Sequence, residues 1–155
     1  MVRGMTRPKT TVSSDLRPTA RELRWMAHID RHGPQSSEFL HELTRDTHRC
    51  KDTALRRLQA LREAKFLRLP PQQQQIAKAD FHPNVYDLTA KGFEYLSYHQ
   101  SLERHARPTG HWWHGFWVSS ITNAIETYAA REGYEFIPAA RILSINDVPI
   151  GIPLP

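Results

Sequence analysis

Basic side chains are concentrated in one short segment of the chain. Between Arg45 and Arg68 there are eight lysines and arginines but only three acidic residues. Guanidinium and ammonium groups suit phosphate oxygens, and an arginine can also bind the edge of a guanine through two hydrogen bonds. The segment therefore predicts a surface for a polyanion, with nucleic acid as the first candidate. The alternative is a charged helix face that meets only solvent.

Apolar residues in the same segment predict how the cations are presented. Those that recur at helical spacing are Ala54, Leu55, Leu58 and Leu61. They predict an amphipathic helix whose cations lie opposite the leucines, with Asp46 or Thr47 as its N-cap. As the second helix of a helix-turn-helix pair it would enter the major groove of DNA by its N-terminal end. The residues placed at base edges are Thr47, His48, Arg49, Lys51, Asp52 and Arg56, and those placed at phosphates are Arg45, Arg57 and Lys65.

The elements around this helix are predicted from periodicity and from turn residues. In order they are a helix over 19–32, a short helix over 36–43, the basic helix, a strand over 66–69, a polar loop over 70–83, a strand over 85–88 and a helix over 89–99. Thr19 with Glu22 forms a capping-box pattern, and Gly33 ends the first helix. This order predicts an α+β fold, a winged helix-turn-helix over 16–99 whose wing is the polar loop.

The polar loop is a second candidate for DNA contact. It is rich in glutamine, which can bind adenine, and it contains a lysine that can reach phosphate. The loop residues predicted to contact DNA are Gln73, Gln74 and Lys78. The alternative is a hairpin loop that contacts nothing.

Outside the winged helix we expect three further segments: a disordered basic arm over 1–15, a linker over 100–110 and a helix-strand extension over 111–155. The extension is interpreted as a truncated second domain or a dimerisation element. Its helix is predicted from about Trp113 to Arg131, with strands after Gly133. The inward stripe of that helix is expected to be Phe116 or Trp117, Ile121, Ala124, Ile125 and Tyr128.

Three tryptophans, Trp112, Trp113 and Trp117, lie at the start of this extension. Such rings can form a protein interface or stack on bases. Their large apolar area favours the alternative, in which they cover the core of a second domain or dock onto the winged helix.

Metal binding and catalysis find little support in the sequence. His28 and His32 have the i, i+4 spacing of a zinc-binding pair, but the sequence indicates no third ligand. The histidines that flank the tryptophans, His111 and His114, are expected to be ordinary surface or core residues. No activated nucleophile, paired carboxylates or phosphate-binding glycine loop is evident. We therefore predict a non-enzyme that needs no cofactor and no metal.

The overall composition limits the partners and the compartment. The net charge is +5 and the isoelectric point is about 9.7, which favours nucleic acid and, second, an anionic membrane surface. A single cysteine, Cys50, excludes an internal disulfide and a cysteine-based zinc site. No apolar run is long enough for a membrane span or typical of a signal peptide. A cytoplasmic protein without membrane contact is expected.

Several of these segments resemble the winged-helix half of the replication-relaxation family of plasmids, phages and integrative elements. The segments similar to that half are RPTARELRWMAHIDRHG, EFLHEL, TALRRLQALREAKFLRL and VYDLTAKGFEYL. The downstream segment HGFWVSSITNAIETYAAREG is similar to the helix that opens the family's second half. The resemblance covers about residues 15–145 and implies binding of double-stranded DNA in replication, maintenance or transcription control. The family's second half is often nuclease-like, but Asp147 stands alone here, so the resemblance supplies no catalytic residue. A homodimer is expected, since one winged helix gives too little specificity. The rival interpretation is a protein-interaction adaptor in a replication or virion assembly.

Overall fold

The computed structural model describes residues 16–47, 49–74, 83–100 and 112–138. Its elements are α1 (Ala20–His32), β1 (Gln35–Ser36), α2 (Ser37–Leu43), α3 (Lys51–Glu63), β2 (Leu67–Arg68), α4 (Pro71–Gln74), β3 (Val85–Leu88), α5 (Ala90–His99) and α6 (Trp112–Arg131). The predicted α+β class is confirmed. The basic arm over 1–15, residues 101–110 of the linker predicted over 100–110, and residues 111 and 139–155 of the extension lie outside the described part of the chain.

The strands form a small antiparallel sheet in the order β1-β3-β2. Gln35 pairs with Tyr86 on one side of β3, and Leu67 pairs with Leu88 on the other. The pairing of β2 with β3 was predicted as a hairpin, whereas β1 was not predicted. Two polar residues carry no alternating pattern, so β1 is defined only by its tertiary pairing.

Local capping residues set where most helices begin. The Thr19 N–H donates to Glu22 Oε2 at 2.7 Å, and Gly33 ends α1 with a φ of 97°. Both expectations are confirmed. The N-cap expected for α3, Asp46 or Thr47, is wrong, because residues 44–47 form a separate turn and Cys50 is the N-cap.

The core lies between α1, α3, α5 and the sheet. The core residues expected from the sequence pattern are Leu23, Met26, Phe39, Leu40, Leu43, Leu55, Leu58, Leu61, Leu67, Tyr86, Leu88, Phe93 and Leu96. All but Phe39 and Leu55 are buried in the core or packed against it. Trp25 was not expected there, yet it is fully buried. Its Nε1 donates to Leu40 O at 2.7 Å and to Thr44 Oγ1 at 2.8 Å, so the polar atom of the indole is satisfied inside the core.

The segment VYDLTAKG contains β3 and the start of α5, and two of its residues contact the backbone just before β2. The Thr89 hydroxyl accepts from the Gly92 N–H at 3.0 Å and donates to Lys65 O at 2.6 Å. A Cβ added to Gly92 would lie 2.2 Å from Phe66 O. Glycine is therefore required for the close approach of α5 to the backbone before β2.

Helix α6 packs on α1 and β1 by its polar side, contrary to the expectation for this helix. Ser119 and Asn123 are fully buried, while Trp117, Ile121 and Ile125 are exposed. Ser119 Oγ donates to Pro34 O at 2.5 Å, which fixes the polar side against the end of α1. The apolar residues that were expected to face the core therefore face solvent. Residues 134–138 form no strand, and the rest of that predicted region lies outside the described residues.

Candidate nucleic-acid interface

Helix α3 buries its apolar side and exposes a polar one. Ala54, Leu58 and Leu61 are fully buried, and α2 packs against the helix. The exposed residues at and just before its N-terminal half include Arg49, Lys51, Asp52 and Arg56, which we call the α3 face. All four of these predicted site residues are therefore open to solvent.

The basic side chains in and near α3 differ in the hydrogen bonds and ion pairs that they make. Arg49 has no hydrogen bond or ion pair to the described residues, and Arg56 Nε reaches only Asp52 O, at 3.4 Å. Lys51 Nζ lies 3.0 Å from Glu38 Oε1, and Arg45 Nη1 lies 3.4 Å from Glu42 Oε1. Exposed pairs of this kind contribute about 0–1 kcal/mol, so a phosphate can replace either carboxylate.

Arg57 behaves differently from its neighbour Arg56. Its Nε is hydrogen-bonded to the carboxylate of Glu22, which is buried at 1% exposure. The hydrogen bond to Glu22 raises the pKa of Arg57, against the opposing effect of burial. The guanidinium predicted to reach phosphate is thus the counter-ion of a buried acid.

Two arginines of α1 brace the turn that leads into α3, and sequence reasoning did not single them out. Arg24 binds both Asp46, at 3.0 Å, and Leu43 O, at 3.0 Å. Arg21 Nη1 donates to Thr47 O at 2.9 Å. Thr47 is exposed on this turn, whereas His48 lies outside the described residues.

An open surface groove follows the C-terminal end of α3. It is lined by Arg62, Lys65, Leu67, Arg68, Leu69 and Thr89. Lys65 was predicted to contact phosphate, but Arg62 and Arg68 were not. The signal for Arg68 was available in the alternation of β2, in which Leu67 is buried and Arg68 is exposed. Arg68 is partly engaged, because its Nη2 lies 2.7 Å from Asp87 Oδ2.

The predicted role of Gln73 as a DNA contact is not supported by its position. The side chain is buried, its Nε2 donates to Pro83 O at 3.1 Å, and its Oε1 accepts from the Val85 N–H at 2.8 Å. Both ends of the amide are therefore occupied in closing the base of the loop. The side chain of Gln74 and all of Lys78 lie outside the described residues.

The exposed side of α6 is a continuous apolar stripe. It consists of Trp113, Trp117, Ile121, Ile125 and Tyr128, which are 47–63% exposed and which we call the apolar face of α6. The expectation that the tryptophans cover a core is therefore wrong for Trp113 and Trp117. The side chain of Trp112 lies outside the described residues.

The polar side of α6 meets the histidine pair of α1. One donor atom from each of His28, His32 and Glu126 lies within 4.8 Å of the other two, and we call this group the histidine cluster. Burial lowers the pKa of His28 to about 4 and also lowers the pKa of His32. Burial would raise the pKa of Glu126, but the hydrogen bond from His32 and the charge of Arg31 give a net lowering. Glu126 is the third candidate ligand, and no pattern in the sequence had indicated it.

The fold and the site define a small α+β protein that presents a basic helix face beside a three-stranded sheet. The Replication-relaxation family model matches residues 26–133, and the chain belongs to this family. A search of curated proteins gave no match, and neither did a search of solved structures. Within the described ranges, no helix combines the length and apolar character of a membrane span.

Proposed function

We propose that residues 16–99 form a winged helix that binds double-stranded DNA, with the α3 face in the major groove. The observation that carries the proposal is the exposed start of α3, where Arg49, just before the N-cap, and Arg56, within the helix, have no acidic partner among the described residues. The second helix of a helix-turn-helix pair binds base edges by this end. A guanidinium there can bind guanine or phosphate without first breaking a strong ion pair.

The order of the elements supports this proposal. A helix and a short strand precede the α2–α3 pair, and two antiparallel strands follow it, with β3 in the centre of the sheet. In this arrangement the loop between α4 and β3 is the wing. The groove lined by Arg62, Lys65 and Arg68 lies at the opposite end of α3 from Arg49 and offers a second place for the phosphate backbone.

Membership in the Replication-relaxation family supports a biological setting. We propose a role in the replication, maintenance or transcription control of a plasmid or phage, performed in the cytoplasm. The proposed activity is binding without catalysis. A nicking assay on supercoiled plasmid with Mg²⁺ tests this part, because any conversion to open circles that follows the purified protein would contradict it.

The first experiment is a fluorescence-anisotropy titration with random-sequence duplex DNA at 50 and 200 mM salt. Each phosphate contact contributes about one unit to the slope of log affinity against log salt concentration. Arg49→Ala and Arg56→Ala should each weaken binding, by about 1–3 kcal/mol where the arginine binds a base edge, and together should abolish site preference.

Arg131→Ala is the charge-matched control, because Arg131 is exposed at the end of α6. It removes one positive charge and should leave the affinity within about twofold of the original value. Equal losses in Arg131→Ala and Arg56→Ala would indicate general charge attraction and would contradict the assignment of α3.

A second copy of the chain is the partner that we propose for the apolar face of α6. Trp117 and Ile121 are 60% and 58% exposed on this face, and exposed apolar stripes of this length are typical of interfaces. The rival is a protein-interaction adaptor, in which a replication or virion protein covers the same face and DNA is not bound.

Light scattering on the purified protein distinguishes a homodimer from a monomeric adaptor by its molar mass. Trp117→Ser should convert a dimer to a monomer, whereas Tyr98→Ser, at an 88% exposed site on α5, should not. A monomer that binds no DNA at low salt would favour the adaptor.

A further inference from the structure

We propose that the histidine cluster is a binding site for a divalent transition-metal ion, Zn²⁺ in the first place, which ties α6 to α1. His28 and His32 lie one helical turn apart on α1, and Glu126 approaches them from α6. Two imidazoles and a carboxylate are a set of donors that binds Zn²⁺ in proteins. The site is independent of the proposed DNA contact, because none of its residues belongs to the α3 face.

Each imidazole presents its Nε2 to an oxygen atom of α6. His28 Nε2 lies 2.5 Å from Asn123 Oδ1, and His32 Nε2 contacts Glu126 Oε2. Together these atoms are two nitrogen and two oxygen donors, which is the number that a tetrahedral Zn²⁺ site requires. At metal–ligand distances of about 2.0–2.1 Å, tetrahedral donors lie about 3.4 Å apart. The most distant pair of the cluster must therefore approach by roughly 1.4 Å at most, whereas the two hydrogen-bonded pairs, His28 with Asn123 and His32 with Glu126, must move apart by about 1 Å to admit the ion.

The His32 ring has a partner on each side. Its Nδ1 lies 2.9 Å from Thr122 Oγ1, and its Nε2 contacts Glu126 Oε2. Without a metal ion, an Nε2–H donates to the carboxylate. Metal binding requires the ring proton on Nδ1, where Thr122 Oγ1 can accept it, because the Thr122 hydroxyl has an acceptor for its own hydrogen in Val118 O, at 3.0 Å. The metal cation then replaces the proton between Nε2 and Oε2, and Thr122 is the outer partner that orients the ring.

The surroundings of the cluster are those of a formed site. The His32 side chain is 1% exposed, and the ring of Phe136 lies 5.5 Å from it, centroid to centroid. Arg31 binds Oε1 of Glu126 and leaves Oε2 toward His32, so the carboxylate is oriented by a second residue. The positive charge of Arg31 also opposes cation binding, and we therefore expect weaker binding than at a cysteine-based site.

The test is calorimetric titration of the full chain with Zn²⁺ alone, after removal of metal by a chelator. The expected result is one Zn²⁺ per chain. Co²⁺ in place of Zn²⁺ should give the visible absorption of a tetrahedral complex. The chain has nine histidines, so variants must locate the ion. Glu126→Gln and His28→Gln should each weaken binding by at least about tenfold. His114→Gln, which removes an exposed histidine of the same helix, should leave it unchanged.

Hydrogen exchange supplies a second measurement that does not depend on the variants folding. Zn²⁺ should slow exchange in both α1 and α6 of the unmodified chain and should raise its melting temperature, and a chelator should reverse both effects. Absence of Zn²⁺ binding at hundred-micromolar concentration would overturn the proposal, even if Glu126→Gln lowers stability. Binding that survives both cluster variants, or protection confined to other segments, would also overturn it.

Discussion

The adjacent arginines Arg56 and Arg57 lead to a prediction in which stability and DNA binding separate. Arg57→Ala removes the counter-ion of Glu22, whose side chain is 1% exposed. Loss of one partner of a buried pair costs about 3–5 kcal/mol. Here the Arg57 side chain is 36% exposed and the Thr19 N–H still binds the carboxylate, so we expect about 2–4 kcal/mol.

Arg56→Ala should leave stability unchanged and lower the DNA affinity. Arg56 is exposed and its contact with the described residues is a long hydrogen bond to Asp52 O, so its removal should change the free energy of unfolding by less than about 0.5 kcal/mol. DNA affinity should fall in Arg56→Ala. It should stay within about twofold in Arg57→Ala, measured at a temperature where that variant is folded.

Urea denaturation followed by circular dichroism measures the free energy of unfolding of both variants. The melting temperature of Arg57→Ala should fall by about 8–16 °C, at roughly 4 °C per kcal/mol for a domain of this size. Glu22→Gln in the Arg57→Ala background should restore about 1–3 kcal/mol, because a neutral amide needs no counter-ion. A loss under about 0.5 kcal/mol in Arg57→Ala, or no recovery in the double variant, would refute the reasoning.

Four further substitutions test the packing. Gly92→Ala should cost about 1–3 kcal/mol in urea denaturation because the new Cβ meets Phe66 O, although helix propensity alone favours alanine. In Gly115→Ala the new Cβ would meet nothing nearer than 4.0 Å, so this variant should be neutral or stabilised by up to about 1 kcal/mol. If both variants lost stability, or both gained it, the close contact between position 92 and Phe66 O would be contradicted. Leu58→Ala should cost about 2–5 kcal/mol at its fully buried site, and a loss under about 0.5 would mean that α3 is not packed as described. Trp25→Phe should cost about 1–2 kcal/mol by calorimetric melting, since Leu40 O and Thr44 Oγ1 lose a buried donor; an unchanged melting temperature would refute this.

Local signals in the sequence predicted the ends of several elements. Thr19 and Thr89 cap α1 and α5 because a hydroxyl or a nearby glutamate can bind the first backbone amides, and this depends on a few neighbouring residues. The strand over 85–88 was also predicted with the bounds that the structure has. Cys50 as the cap of α3 was not predictable from propensity, since the start of this helix is set by the turn that Arg24 holds.

Long-range polar contacts explain most of what the sequence did not predict. The apolar stripe of α6 suggested an inward face, but Ser119 and Asn123 lie inside, where Pro34 and His28 offer polar partners. Glu126 lies 94 residues from His32, so spacing alone does not place them together. For the same reason Arg57, one residue from Arg56, could not be recognised as the partner of Glu22.

The bonds of Gln73 have a consequence for engineering the protein. Its amide joins the backbone at Pro83 and Val85, so both ends of the intervening segment are held in place whatever lies between them. Doubling the length of such a segment costs only about 0.6 kcal/mol of closure entropy. A fluorescent tag or a peptide epitope inserted within 75–82 would therefore begin and end at fixed anchors, and the sheet register would be unaffected.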